Sequence, residues 1–282
     1  MKVVISIFLC ITTFSSSSQT TLIAGDVVGM IKKEVGIEWG EETVDTYKSG
    51  DENTEITGIA TTFLANMDVL KKAKARGLNM VITHEPTFYN HFDHLEPWQD
   101  DPVQQEKLKY LKENKMVVWR FHDYWHRMDP DGIYKGVIDK MNWGKYAVNG
   151  SDRLFEIPET SLMSLSKNLK QIFGTETIRV VGDSTANFSK VGWVLGAAGS
   201  NAQIKMLQRD DIEAIIIGET HEWETVEYVR DAISQGRKKA LIIIGHANSE
   251  EAGMAYCADW LKTFINEIPI EFIPAGDPFW GP

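Results

Sequence analysis

Met80-Val-Ile-Thr-His-Glu-Pro86 places three β-branched residues after a methionine and then stops abruptly at an imidazole, a carboxylate and a proline. A run of that length suits a strand buried on both faces and is too short for a helix. The same pattern recurs along the chain. Met116 to Phe121 leads into His122, Asp123 and His126, and Ala240 to Ile244 leads into His246 and Glu250. Val191 to Leu195 and Ala214 to Ile217 read as two more buried strands, while Met67 to Arg76, Gln104 to Asn114 and Glu222 to Gln235 carry a helical period. Strands that alternate with helices predict an α/β fold with mostly parallel sheets. Ligands of such sheets bind outside the carboxyl ends of the strands, where these imidazoles and carboxylates fall.

The composition places limits on the function. With 282 residues, 43% hydrophobic and 24% charged, the chain fits one large or two modest globular domains. Twenty-nine Lys and Arg against 40 Asp and Glu give a net charge of -11. That balance repels a phosphate backbone and argues against nucleic acid as a partner. Lys2, the apolar run Val3 to Phe14 and the serines 15–18 read as a signal peptide over residues 1–19, with a secreted or periplasmic destination. The run is too short for a stable membrane anchor, and Cys10 lacks the small residue that a lipid-attachment site requires before it. Past the leader only Cys257 remains, so no intramolecular disulfide is expected. The polar stretch Gly144 to Arg153 and the segment Gln235 to Lys239 are soft boundaries. They suggest an α/β domain of residues 20–147 and 240–282, with a middle α/β domain of residues 148–239.

Histidine nitrogen and carboxylate oxygen suit zinc, manganese or iron. His122 with His126, and His246 with Glu250, share the i, i+4 spacing that puts two side chains on one helix face. One such pair is usually a solvated or satisfied histidine, whereas three clusters at three strand ends point to a metal site. His91 and His94 either sit over the site as a lid or substrate contacts or are exposed loop residues, the latter being the default, and Glu219 and His221 either reach the cleft or cap the following helix, capping being slightly favoured. The glycine turn Gly196 to Gly199 either cradles a phosphate or lets a helix pack closely, the latter being commoner. Trp119, Phe121, Tyr124 and Trp125 either stack a planar substrate or fill the core. No Gly-x-Ser-x-Gly elbow or Gly-x-Gly-x-x-Gly fingerprint competes.

Met80-Val-Ile-Thr-His-Glu-Pro86 resembles the first motif of the Nif-three-like dinuclear-metal family, in which a strand ends in His-His-Pro. Ile244-Gly-His-Ala-Asn-Ser-Glu250 resembles its Gly-His-x-x-Ser-Glu motif, Val191 to Ser200 its glycine-rich turn, and Ile217-Gly-Glu-Thr-His221 the Gly-Glu segment after it. The resemblance runs from roughly Gly58 to Phe279. It implies two α/β domains, the first assembled from both ends of the mature chain, and a homohexamer. It also implies two divalent ions per subunit, held by His84, His246 and Glu250 where the motifs match. Two positions depart from the pattern: Glu85 replaces the second histidine, and His126 replaces the aspartate of His-x-x-x-Asp. Together they exchange one histidine for one carboxylate, leaving three imidazoles and two carboxylates among His84, Glu85, His126, His246 and Glu250. Compensation between the two positions is the favoured account, and loss of one metal the competing one.

Two adjacent metal ions lower the pKa of a bridging water, so hydrolysis of a small molecule needs no protein nucleophile. His122 and Asp123 are the candidates for general base, with His122 alternatively orienting a ligand. The type-two GTP cyclohydrolase label of some family members is not carried over, because an exported chain meets little free GTP. The alternative to a metal-dependent hydrolase is a non-catalytic metal-binding or scaffold protein.

Overall fold

The computed structural model describes residues 21–281, so the leader reading lies outside the described residues. Helix α1 (Ala24–Val35) buries one apolar stripe and ends at Gly36, whose φ of 66° closes the helix in the left-handed region. It is followed by β1 (Tyr47–Ser49), β2 (Ile59–Thr62), α2 (Met67–Ala75), β3 (Met80–Thr83), α3 (Pro102–Glu113), β4 (Val117–Arg120), α4 (Asp123–Arg127) and α5 (Gly132–Met141). Short 3₁₀ turns at Gly144–Tyr146 and Val148–Gly150 lead into β5 (Leu154–Ser161). Then come α6 (Leu162–Phe173), β6 (Arg179–Val181), β7 (Asn187–Val194), α7 (Ser200–Leu207) and β8 (Ala214–Ile217). A π-turn at Glu222–Val226 enters α8 (Glu227–Ser234), and β9 (Ala240–Ile243), α9 (His246–Leu261) and β10 (Ile270–Phe272) complete the chain. Among the described residues no helix is long and apolar enough to cross a membrane.

The strands form two five-stranded sheets, in the orders β1-β4-β3-β2-β10 and β5-β7-β8-β9-β6. The inner pairs of both are parallel, and antiparallel partners sit at the edges: β1 on β4, β5 on β7 and β6 on β9. Because β10 joins β2, the first sheet is built from both ends of the chain. The boundary expected at residue 240 falls elsewhere. β9 pairs with β8 and β6 in the second sheet, and the chain returns to the first only through α9, whose Met254, Cys257, Ala258 and Leu261 enter that sheet's core. The reason is register: Ala240 to Ile243 continues the parallel ladder of Ala214 to Ile217 residue for residue.

Each sheet is covered on both faces, as its nearly continuous apolar strands require. One face of the first sheet packs on α1 and α9, and the other on α2 and α3. The second sheet buries one face against α5 and α6 and the other against α7 and α8. Trp119, Phe121, Tyr124 and Trp125 are fully buried in the first core, which resolves their reading as packing. Cys257 is buried and free, and burial pushes its thiol pKa up. Helices α5 and α9 lie between the sheets and touch at two glycines. A Cβ on Gly253 would sit 2.5 Å from Ile133 Cα, and one on Gly136 would sit 2.6 Å from Gly253 Cα.

Candidate metal centre

The strand ends of the first sheet are level: Thr62 pairs with Thr83 and Thr83 with Arg120. The next residues therefore leave the sheet side by side, and His84 Nδ1 lies 3.1 Å from the Phe121 carbonyl. This contact fixes the ring and turns Nε2 outward, where it is buried without a hydrogen-bond partner. Nε2 is 3.4 Å from Glu250 Oε2. After β4 the chain turns into α4, started by Asp45, whose carboxylate accepts from the backbone amides of His122, Asp123 and Tyr124 at 2.7, 2.9 and 2.9 Å. One turn of helix then sets the His126 ring edge-on to that of His122, with centroids 5.0 Å apart. His84 is 4.6 Å from the first ring and 4.9 Å from the second.

Each of the two α4 histidines has a carboxylate on Nδ1: Asp123 at 2.9 Å for His122 and Asp131 at 3.0 Å for His126. Such partners place the proton on Nδ1 and leave the Nε2 lone pair for a ligand. Donor atoms of His84, His122 and His126 lie within 4.8 Å of one another, and so do those of His84, Glu85 and Glu250. His246, at the start of α9, joins the second group: its Nε2 is 3.0 Å from Glu250 Oε2 and 3.5 Å from Glu85 Oε1. A buried imidazole nitrogen without a hydrogen bond, facing further imidazoles and carboxylates, fits a divalent cation, which would satisfy it. The cluster could hold a metal, and His84 belongs to both halves of it.

Electrostatics follow from the crowding. Burial would lower the pKa of His246, but the hydrogen bonds of Glu250 and Glu85 outweigh it and hold it at about 10. Burial would raise Glu85, yet His246 and His84 hold its carboxyl at about 2. Glu250 is likewise held well below the usual carboxylate range by His246 and His84 against its own desolvation. His122 moves the other way, down to about 4, through burial and the neighbouring His84. His126 is raised because Asp131 overcomes the cost of burial.

Asp123 is hydrogen-bonded on both oxygens. One oxygen faces His122 and the other accepts from Thr43 Oγ1 and the Val44 amide, and these bonds hold its pKa at about 2 against desolvation. His122 sits within the histidine cluster itself. The glycine turn makes room rather than a cradle: a Cβ on Gly196, where φ is 63°, would collide with the Glu250 carboxylate, its Cδ lying 2.9 Å away. Glu219 does not cap a helix. Its Oε1 lies 3.7 Å from His246 Nδ1, while His221 bonds Glu224 on the exposed surface. His91 and His94 are exposed, although the Arg120 guanidinium holds the His91 carbonyl and the His91 ring lies 6.2 Å from that of His122.

The sequence reading missed Asp45, Asp131 and Arg120. Arg120 is a charge inside an apolar strand, which is a readable signal. It is fully buried, with NH2 3.6 Å from Glu85 Oε2 and Nε donating to the His84 carbonyl at 3.0 Å. Asp131 has a second duty, accepting from the Ile133 and Tyr134 amides as the N-cap of α5. Asp131→Asn should keep the cap but present an amide to His126 Nδ1, forcing the proton onto Nε2. Metal affinity should fall by about 10- to 100-fold in a competition titration with a chromophoric chelator, with the melting temperature of the metal-free protein retained.

Two α/β sheets whose strand ends converge on a buried histidine-carboxylate cluster define an α/β protein with a site that could hold a metal. The chain belongs to the family Duf34/NIF3 (NGG1p interacting factor 3), whose model matches residues 36–278. It is similar to a Clostridium perfringens protein named GTP cyclohydrolase 1 type 2 homolog, 26% identical over 245 residues that span 82% of this chain and 88% of the relative. A homologue of the same name from Clostridium acetobutylicum is 23% identical over 232 residues, 78% of this chain and 82% of that one. Among solved structures the fold resembles Staphylococcus aureus protein SA1388, with a TM-score of 0.69 at 15% identity, covering 92% of this chain and 99% of that one. It also resembles a Bacillus cereus protein related to NIF3, with a TM-score of 0.69 at 11% identity, covering 93% and 99%.

Proposed function

We propose that this chain is a secreted or periplasmic, homo-oligomeric metallohydrolase with two divalent ions per subunit, acting on a small molecule. The observation that carries the reading is the unpartnered His84 Nε2 at the junction of two donor groups. His84, His122 and His126 would hold one ion, and Glu85, His246 and Glu250, with His84 or Glu250 shared, the other. Bound there, such ions supply Lewis acidity toward a substrate oxygen and toward water. The protein's part is orientation. Asp123 and Asp131 set the tautomers of His122 and His126, Arg120 holds Glu85 toward the cluster, and Gly196 leaves space for Glu250. A cleft of about 800 Å³ bordered by Phe63, Leu64, Ile178 and Ile243 opens on Glu85 and His246, which is room for a small-molecule substrate.

The test is elemental analysis of the chain from Thr20 onward, beside Glu85→Ala and His126→Ala, with phosphoesters, amides and GTP assayed on the same samples. GTP is included because of the clostridial relatives' names. Two ions per subunit, falling toward one in each variant, together with turnover, support the proposal. Unchanged metal content in both variants sinks compensation between the two positions, and full occupancy without turnover leaves a metal-binding protein. Metal uptake should also release protons. In the metal-free protein His246 is protonated at pH 7, and ligation requires it neutral, so affinity should rise with pH between 6 and 9. His126, whose pKa is also raised, adds to the slope, whereas Glu85 and Glu250 remain ionised across that window and contribute none. Calorimetry in buffers of different ionisation enthalpy reads the proton count, and a count of zero contradicts ligation by His246.

A further inference from the structure

Lys107 lies on the inner face of α3 and is 3% exposed. Its Nζ donates to the Thr87 carbonyl at 2.6 Å and lies 5.7 and 5.5 Å from the ring centroids of Phe88 and Tyr89. Two other cations are comparably buried, and both face carboxylates. Lys48 Nζ is 3.2 Å from Asp93 Oδ2, and Arg120 lies within 3.6 Å of Glu85 and Asp93. Among the described residues no carboxylate comes within 4 Å of Lys107. A buried ammonium is costly to desolvate, and one carbonyl uses only one of its three donors. Burial pushes its pKa down to about 8 against the attraction of Asp93, which acts from beyond ion-pair distance, and that still leaves it charged at neutral pH.

The cation also has an outlet. Lys107 lines a cleft of about 380 Å³ together with Thr87, Tyr89 and His91, and Glu85, Glu219 and His246 of the metal centre's surroundings line the same cleft. The chain as a whole carries a net charge of -11, and the carboxylates lining this cleft would repel an anion. Lys107 is the only lysine or arginine among the described residues that lines it.

We propose that Lys107 anchors the oxyanion of the substrate, a small molecule bearing a phosphate or carboxylate whose reacting end lies against Glu85 and His246. The proposal rests on the metal-centre reading for where the reacting end sits. Lys107 is thus a specificity-determining residue, and its unpaired burial is the stability cost of a preformed anion site.

The test titrates inorganic phosphate and, separately, acetate into the metal-loaded and the chelator-treated full chain, beside Lys107→Met and Lys107→Gln. Methionine matches the stem without the charge, whereas glutamine can still donate to the Thr87 carbonyl. Wild type should bind one of the two anions, the stronger naming the oxyanion, and both variants should bind it at least about tenfold more weakly at unchanged metal content. Lys107→Met should melt at or above the wild-type temperature, because a buried unpaired charge is gone. Wild-type affinity retained in both variants overturns the proposal. So does binding restored by glutamine while methionine lowers both affinity and melting temperature, since Lys107 would then only bolt the Thr87 loop to α3. Failure of wild type to bind either anion overturns it as well. A wild type without metal, whose chelator-treated form still binds anion through Lys107, overturns the metal centre and leaves the anchor standing.

Discussion

His84→Ala should empty the whole centre, with metal content falling below about a tenth of the wild-type value and affinity weakening by more than about 100-fold, beyond what loss of an orienting partner costs. The expectation follows from position: His84 is the one residue present in both donor groups. The fold should tolerate the change. The variant loses the contact to the Phe121 carbonyl, worth about 1 kcal/mol, and the attraction between Nε2 and Glu250, 3.4 Å apart, and leaves a small cavity, but it also removes a buried nitrogen that makes no aligned hydrogen bond. Metal-free wild type and variant should therefore melt within a few degrees of each other. Metal should raise only the wild-type melting temperature, since a ligand stabilises the native state it binds. Elemental analysis and thermal unfolding with and without chelator check both parts. A variant with full metal content would show that the imidazoles do not form the centre.

Gly136→Ala should cost about 3 kcal/mol or more and lower the melting temperature by roughly 10 °C, although it adds one methyl group to a helix. The methyl would press on the Ala252 carbonyl and the Gly253 Cα, and backbone atoms cannot rotate away as a flexible side chain can. The helices must separate, and that displaces both ends of the centre. Asp131, which holds His126, caps α5, while His246 and Glu250 open α9. Metal affinity should drop along with stability. The control is Gly29→Ala in α1, where a Cβ meets nothing within 4 Å on an exposed face. The same substitution there should stabilise by about 0.4–1 kcal/mol, through the alanine's helix preference and the narrower unfolded ensemble. Equal effects at the two glycines would mean that α5 and α9 do not pack through their backbones.

Much of the centre was legible because its residues follow buried strands. His84, His122, His246 and Glu250 are read from the place where an apolar run stops, and the departures at Glu85 and His126 stand at such places too. The strands found most accurately are β3, β8 and β9, buried on both faces and therefore apolar throughout. β1, β6 and β10 have three residues each, too few to show a period, and they pair at sheet edges. β7 extends four residues further toward its N-terminus than its apolar core, because in Asn187 to Lys190, which pairs with β5, only Phe188 is buried and the apolar run is broken. The residues that orient the ligands left no trace of this kind. Asp45 and His122 are 77 positions apart, and nothing local in Glu42 to Thr46 announces that its aspartate starts α4.

The sequence by itself determined the alternation of buried strands and helices, and with it the parallel sheets and the strand-end placement of the histidines, because burial on two faces and helical period are local properties of the chain. Only the tertiary structure decided that β9 belongs to the second sheet, that α5 and α9 meet at two glycines, that Asp123 orients His122 and Asp131 orients His126, and that Lys107 stands unpaired beside the cleft. Those facts depend on which distant segments come into contact, and the packing of two sheets against a shared pair of helices sets that for all of them at once.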